Sequence, residues 1–280
     1  MTDARREMDR GYVAMGGTRL YYEAAGSGDP VVLIHPGFAD RRVWDRQWDC
    51  LAEEYRVVRY DVRGTGKSAG SSAPYSDYAD LEKLIDFLGV QRAHFVGLAT
   101  GGSIALDLAV DRPEVVESLV LVSTSYPGVR PSAVSERRRR EAQAAYTAGR
   151  LDQAVEAILR AWVDGPGRTP EQVDTAVREH VRLLYSENLP RQEYQGRHNP
   201  MNPPAVARLD EVHAPTLVVV GEFDAEEERV AAEAYAAGIS TSAKIIMPGA
   251  GHMVPLEQSE VFNRVLLKFF SLQVGDQRQN

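Results

Sequence analysis

Only one cysteine, Cys50, occurs in 280 residues. A single thiol excludes an internal disulfide framework and a cysteine metal cluster, and it fits a reducing compartment, so a cytoplasmic location is expected. Long hydrophobic runs are missing as well. The longest, such as Val31 to Ile34 and Leu119 to Val122, are strand-sized and far short of a membrane span. Basic charge is not in excess either. Lys plus Arg number 32 against 40 Asp plus Glu, a net of −8, so nothing pulls the chain globally toward nucleic acid or anionic lipid. No biased tract marks low complexity, and a 44% hydrophobic content is that of a folding chain. Met1 to Arg10 is polar with both charge signs, unlike a signal or transit peptide. The length suits one large α/β domain, or one such domain with an inserted cap.

Strand and helix signals alternate in the first half. Tyr12 to Met15 and Leu20 to Ala24 read as a hairpin joined near Gly16 and Gly17. Short apolar runs at Val31 to His35, Val57 to Asp61, His94 to Leu98 and Ser118 to Ser123 read as strands. Helical spacing marks Val43 to Tyr55, Tyr78 to Leu88 and Gly102 to Val110, with a Gly/Ser-rich loop from Gly64 to Ala73. Buried strands alternating with helices predict a mostly parallel sheet flanked by helices on both faces.

The rhythm breaks between Tyr126 and His213. Only helical periodicity appears there, in Ser135 to Ala148, Leu151 to Trp162 and Pro170 to Leu184, before a Pro/Asn-rich stretch from Leu189 to Pro204. Strand and helix then resume with Thr216 to Val220, Glu227 to Ala237, Ala243 to Met247 and Glu257 to Phe270. A helical insertion between sheet strands reads as a cap over the strand ends, where α/β sheets bind ligands. The expected division is a core of residues 1–125 and 214–280 with a cap of residues 126–213.

Several segments then occur in a telling order: His35-Pro36-Gly37-Phe38 after a strand, Asp61-Val62-Arg63-Gly64-Thr65-Gly66-Lys67-Ser68, Gly97-Leu98-Ala99-Thr100-Gly101-Gly102 between strand and helix, Gly221-Glu222-Phe223-Asp224, and Gly251-His252-Met253. In these motifs the chain resembles the α/β-hydrolase superfamily over nearly all its length except the cap. The family's nucleophile elbow is G-x-S-x-G on a tight strand–helix turn. Here Gly97 and Gly101 stand in place, but the serine position is Ala99. A methyl group cannot attack a carbonyl, so this chain cannot form an acyl-enzyme there. The resemblance places the acid at Asp224, with Glu222 and Glu226 to Glu228 as alternatives, and the base at His252. The other possible acid site reads Ser123-Thr124-Ser125 and offers no carboxylate. It also implies an oxyanion hole from the N–H of Thr100 and that of Gly37 or Phe38, Gly37 being favoured by the His35-to-Trp44 spacing; Pro36 cannot donate.

Other signals have plainer readings. Gly64 to Ser68 resembles the tail of a phosphate loop, but its glycines are too close together, and a structural turn is expected. Arg137 to Arg140, between Glu136 and Glu141, reads as a solvated helix face. Trp44, Tyr126, Trp162, His198 and Met253 are candidate substrate contacts, with Trp44 and Tyr126 ranked above the cap residues; Tyr185 and Tyr194 line the pocket or form cap core. His35 reads as a hydrogen-bonder behind the oxyanion loop, and Cys50 as helix packing. His94, His180 and His213 lack metal-ligand spacing, so neither metal nor cofactor is expected. The expected partner is a small molecule, with no nucleic acid and no membrane; oligomeric state stays open.

Three functions follow. The first is a hydrolase of a small carbonyl compound (ester, lactone or thioester) in which Ala99 replaces serine. The second is a naturally nucleophile-less enzyme whose His252–Asp224 dyad abstracts a proton while the oxyanion hole holds the anion, as in cofactor-free oxygenation, elimination, epimerisation or cyclisation. The third is a ligand-binding relic.

Overall fold

Runs of Val, Leu and Ile pair laterally because burial on both faces leaves their backbone amides no water to bond. In the computed structural model, which describes residues 8–194 and 197–277, they form β1 Asp9–Ala14, β2 Arg19–Ala25, β3 Pro30–Ile34, β4 Arg56–Tyr60, β5 Ala93–Leu98, β6 Val116–Val122, β7 Thr216–Gly221 and β8 Ser242–Met247. Their order across one sheet is β1-β2-β4-β3-β5-β6-β7-β8. β2 is antiparallel to both its neighbours, and every pairing from β4 to β8 is parallel. Central β5 and β7 are buried at every position, whereas edge strand β8 exposes Ala243 and Ile246 and keeps Lys244 half-buried. A lysine on an edge strand discourages pairing with another chain.

Helices cover both faces. In chain order they are α1 Asp45–Leu51, α2 Asp77–Phe87, α3 Thr100–Asp111, α4 Ala133–Thr147, α5 Leu151–Ile158, α6 Thr175–Asn188, α7 Glu226–Gly238, α8 Val254–Glu257 and α9 Ser259–Gln277. One core joins Trp48 and Leu51 of α1 to Phe262, Leu266 and Phe270 of α9. The other joins Leu81 and Leu84 of α2, Leu108 of α3 and Tyr235 of α7. Among the described residues no strand lies between β6 and β7, and no helix is long and apolar enough to cross a membrane.

Three helical expectations need correcting. The segment Val43 to Tyr55 begins as a 3-10 turn, Arg41–Trp44, because the Asp40 carboxylate accepts from the Arg42 amide; α1 then ends at Leu51. Pro170 opens only a 3-10 turn, and α6 starts at Thr175, where Asp174 accepts from the Val177 amide at 3.0 Å. Leu151 to Trp162 is α5 followed by a π turn, Leu159–Val163.

Backbones crowd together where β5 enters α3. A Cβ on Gly97 would lie 2.2 Å from the Gly101 carbonyl oxygen, and one on Gly101 would lie 2.2 Å from that of Ile34. Neither neighbour can rotate away, since both are main chain. Gly101→Ala is therefore expected to lose about 3 kcal/mol or more in urea denaturation. Gly149→Ala, at a φ of +69° with open space around it, should lose only about 1 kcal/mol. Equal losses would mean that backbone crowding does not govern the bend.

Candidate active site

The crowded bend forces the chain through an unusual conformation at one residue. Ala99 sits at the N-terminus of α3 with φ 50° and ψ −114°. Such a conformation costs a non-glycine residue on the order of 1–3 kcal/mol, and it persists because the glycines around it lock β5 against α3. The Ala99 amide donates to the Val122 carbonyl of β6 at 2.8 Å, and its carbonyl accepts from Gly102 at 2.9 Å. Thr100 opens the helix, in the first turn whose amides lack intrahelical acceptors.

His252 follows Gly251 in the loop after β8, and Asp224 follows β7. Both are buried, at 4% and 3% exposure, so their charges depend on each other rather than on solvent. His252 Nδ1 lies 3.1 Å and 3.2 Å from the two Asp224 carboxylate oxygens. With Nδ1–H donating there, Nε2 is left to accept a proton. Asp224 Oδ1 also accepts from the Ala225 amide at 2.8 Å. Burial pulls the imidazole pKa down, but the Asp224 carboxylate outweighs it, with help from Glu228 and Glu257, and the net direction is upward.

A cavity of about 100 Å³ joins these parts: Pro36, Gly37, Phe38, Ala99, Thr100, Ser125, Trp162, Tyr185 and His252 line it. Sequence candidates Gly37, Phe38, Thr100 and Trp162 thus meet Ala99 and His252. The Trp162 ring leans on the imidazole at a centroid distance of 4.9 Å. Other candidates are placed elsewhere. Trp44 is wholly buried in the hydrophobic core, turned inward by the 3-10 turn. Tyr126 packs on Tyr235 and donates to the Val206 carbonyl, on the face of the α7 core. His198 faces Asp77 at 3.4 Å beside the Tyr75 ring. Met253 is buried in the core behind His252. The side chain of Tyr194 lies outside the described residues.

His35 is buried and its pKa is lowered by that burial. Its Nδ1 meets the Pro36 carbonyl at 2.7 Å while Nε2 accepts from the Val62 amide at 2.9 Å, so it ties two loops together. The Gly64 to Ser68 segment is a turn around a carboxylate: Asp61 accepts from the Lys67 amide at 2.7 Å, and a Cβ on Gly66 would strike it at 2.3 Å. The arginine run is not uniformly solvated. Arg137 and Arg140 pair with Glu141 and Glu136 along the helix, but Arg138 donates to the Arg160 and Gly165 carbonyls and Arg139 pairs with Glu227. No group of three or more His, Cys, Asp or Glu able to hold a metal occurs among the described residues.

Two contributors take other roles than the sequence suggested: Ser125 belongs to the strand end that offers no carboxylate, and Glu228 is one of the alternative acids to Asp224. Ser125 lies on the cavity wall, and the signal for it was its position at a strand end, where it offers a hydroxyl instead of a carboxylate. Its Oγ donates to Glu228 Oε1 at 3.0 Å. Glu228, on α7, is 2% exposed and its Oε2 is without a hydrogen-bond partner. Burial raises the Glu228 carboxyl to about 7; His252 opposes the rise, Asp224 reinforces it, and the Ser125 hydrogen bond and Arg139 oppose it.

A carboxyl with a raised folded-state pKa binds its proton more tightly in the folded chain, so stability falls as pH climbs from the ordinary glutamate value through about 7. Glu228→Gln removes that ionisation. Relative to the unsubstituted chain, the variant should gain on the order of 2 kcal/mol between pH 5 and pH 8.5 in urea titrations. A pH-independent difference would show that Glu228 does not take up charge in the folded protein.

Over residues 31–265 the sequence matches the alpha/beta hydrolase family. A protein of Variovorax paradoxus (strain S110) named "Putative carbamate hydrolase RutD" is 30% identical over 277 residues, spanning 90% of this chain and 96% of that one. A malate-bound structure of a thermophilic esterase from Thermogutta terrifontis is similar with a TM-score of 0.77 at 26% identity, covering 95% of this chain and 99% of the esterase. Est816, described as an N-acyl homoserine lactone degrading enzyme, gives 0.73 at 25% identity, covering 92% and 100%. The match runs from β3 into α9 and takes in the bend, the Asp224 loop and the His252 loop, so the chain belongs to the α/β-hydrolase family of enzymes.

Proposed function

We propose that the protein acts on a small carbonyl compound (an ester, lactone, thioester or carbamate) in an acyl-transfer site whose nucleophile position is held by Ala99. The observation that carries this reading is the Asp224–His252 pair at 3.1 Å, opening onto the same cavity as Ala99. The helices between β6 and β7 act as a cap, since Trp162 and Tyr185 close that cavity from above. Support from relatives comes in kind: one is named for a carbamate, another for lactone degradation, another as an esterase.

With serine at position 99, its hydroxyl oxygen attacks the carbonyl carbon while His252 Nε2 takes the hydroxyl proton. Asp224 steadies the resulting imidazolium, and the oxyanion is held by the amides of Thr100 and Gly37 or Phe38. The imidazolium then protonates the leaving group, and water repeats the sequence on the acyl-enzyme. With alanine, the binding and charge-stabilising parts remain and the covalent step is missing.

A second reading is favoured by one observation: the base is retained, buried and paired, beside a residue it cannot deprotonate. His252 then removes a proton from the substrate itself, and the oxyanion amides hold the resulting anion.

Ala99→Ser should raise hydrolysis of p-nitrophenyl acetate by about 10³-fold or more, with a stoichiometric nitrophenol burst, and His252→Ala in that background should abolish the gain. Because neutral imidazole is required and its pKa is raised, the rate should fall as pH drops through a value above that of a free histidine. Failure of Ala99→Ser to gain any activity would overturn the hydrolytic reading.

A further inference from the structure

We infer that a second chamber beside the reaction cavity is a subsite for an uncharged, apolar tail on the carbonyl substrate, with Trp162 and Phe38 as the walls between head and tail. The inference rests on the reading of the reaction cavity as the carbonyl site. The chamber has a volume of about 380 Å³, against about 100 Å³ for the cavity holding Ala99 and His252, and the two share Phe38 and Trp162. The smaller space takes a reacting group and little else. A larger substituent has to pass between the shared rings.

The chamber's chemistry follows from the elements that enclose it. Arg139, Ala142, Gln143 and Tyr146 occupy one face of α4 at helical spacing, and Ile158, Ala161 and Leu189 close the far side. Fully polar side chains are Arg139 and Gln143, with the Tyr146 hydroxyl and the Trp162 N–H at the edges of otherwise apolar rings. Arg139 is already engaged: its guanidinium lies over the Trp162 ring at 4.6 Å and pairs with Glu227 at 3.2 Å. An anionic tail would have to compete with that carboxylate, whereas an alkyl tail needs only the apolar wall.

The dividing wall is held in register with the reaction cavity. Trp162 belongs to the π turn, a rare irregularity frequent at functional positions. Arg168 donates to the Val163 carbonyl of that turn at 2.7 Å and to Glu257 at 2.6 Å. Glu257 in turn accepts from the Gly251 amide at 3.0 Å, one residue before His252. One buried guanidinium thus fixes the tryptophan relative to the imidazole, and the passage between head and tail is built in.

The test is a binding series on the chain as it stands, which needs no turnover. Methyl ketones from 2-butanone to 2-decanone present one carbonyl head with growing tails, titrated by ligand-detected NMR. Affinity should rise roughly fourfold per added methylene until the chamber is filled. Ala161→Phe should weaken 2-octanone binding by about tenfold or more and leave 2-butanone within twofold, while Tyr146→Ala should extend the length at which affinity levels off. Should Ala161→Phe fail to fold by circular dichroism, the Tyr146→Ala series decides. Affinity independent of chain length overturns the subsite, and so does absence of binding at every length. The Ala99→Ser burst reads the reaction separately, so a failed tail subsite and a failed carbonyl site give different results.

Discussion

The bend between β5 and α3 leaves no room for side chains, and that shortage of space organises the rest of the molecule. Gly97 and Gly101 touch backbone atoms that cannot move. Ala99 is held at a positive φ as a result, at the C-terminal edge of a parallel sheet. The loops after β3, β7 and β8 end at the same edge, which is why Gly37, Asp224 and His252 converge on a residue so distant from them in sequence. In an open parallel sheet, the strand ends are where ligands meet the fold.

Charge, rather than apolar contact alone, sets the helices between β6 and β7 onto this edge. Arg168 links the π turn to Glu257 and the partly exposed Arg139 reaches Glu227 on α7, while Arg178 and Asp164 tie α6 to the π turn within the insert. Buried pairs of this kind add little net stability, because desolvation offsets much of their attraction. Their geometry, however, is directional. A hydrophobic interface would tolerate sliding, whereas a guanidinium bonded to a carbonyl and a carboxylate at once admits one arrangement. Trp162 is thereby held against His252 on the wall of the cavity.

Glu228 adds a constraint to the same region. It places a second carboxyl group beside Asp224 near the His252–Asp224 pair, with one oxygen on Ser125 and the other without a hydrogen-bond partner. Its raised pKa couples the protonation of the cavity wall to that of the imidazole, so the electrostatics belong to a cluster rather than to a dyad. Nothing in the local sequence Glu226-Glu227-Glu228 separates the buried acids from an ordinary solvated helix start. Glu227 and Glu228 turn inward and Glu226 outward only because α7 packs on the sheet.

Short motifs were legible in the sequence because their constraints are local. A glycine is needed where backbones touch, an apolar run where a strand is buried, and a Gly-His pair at a tight strand-end loop. Those features alone determined the strand–helix alternation and made Ala99, Asp224 and His252 candidates. Tertiary structure decided which side chains share space. Trp44, Tyr126 and His198 sit near the right loops by number, yet point into a core, onto α7 and toward Asp77. Folding also brings Ser125 to the cavity wall and sets Glu228, one of several acids the sequence offered, behind it. The reason is physical: periodicity reports whether a residue is buried, whereas its neighbours depend on the packing of segments a hundred residues away.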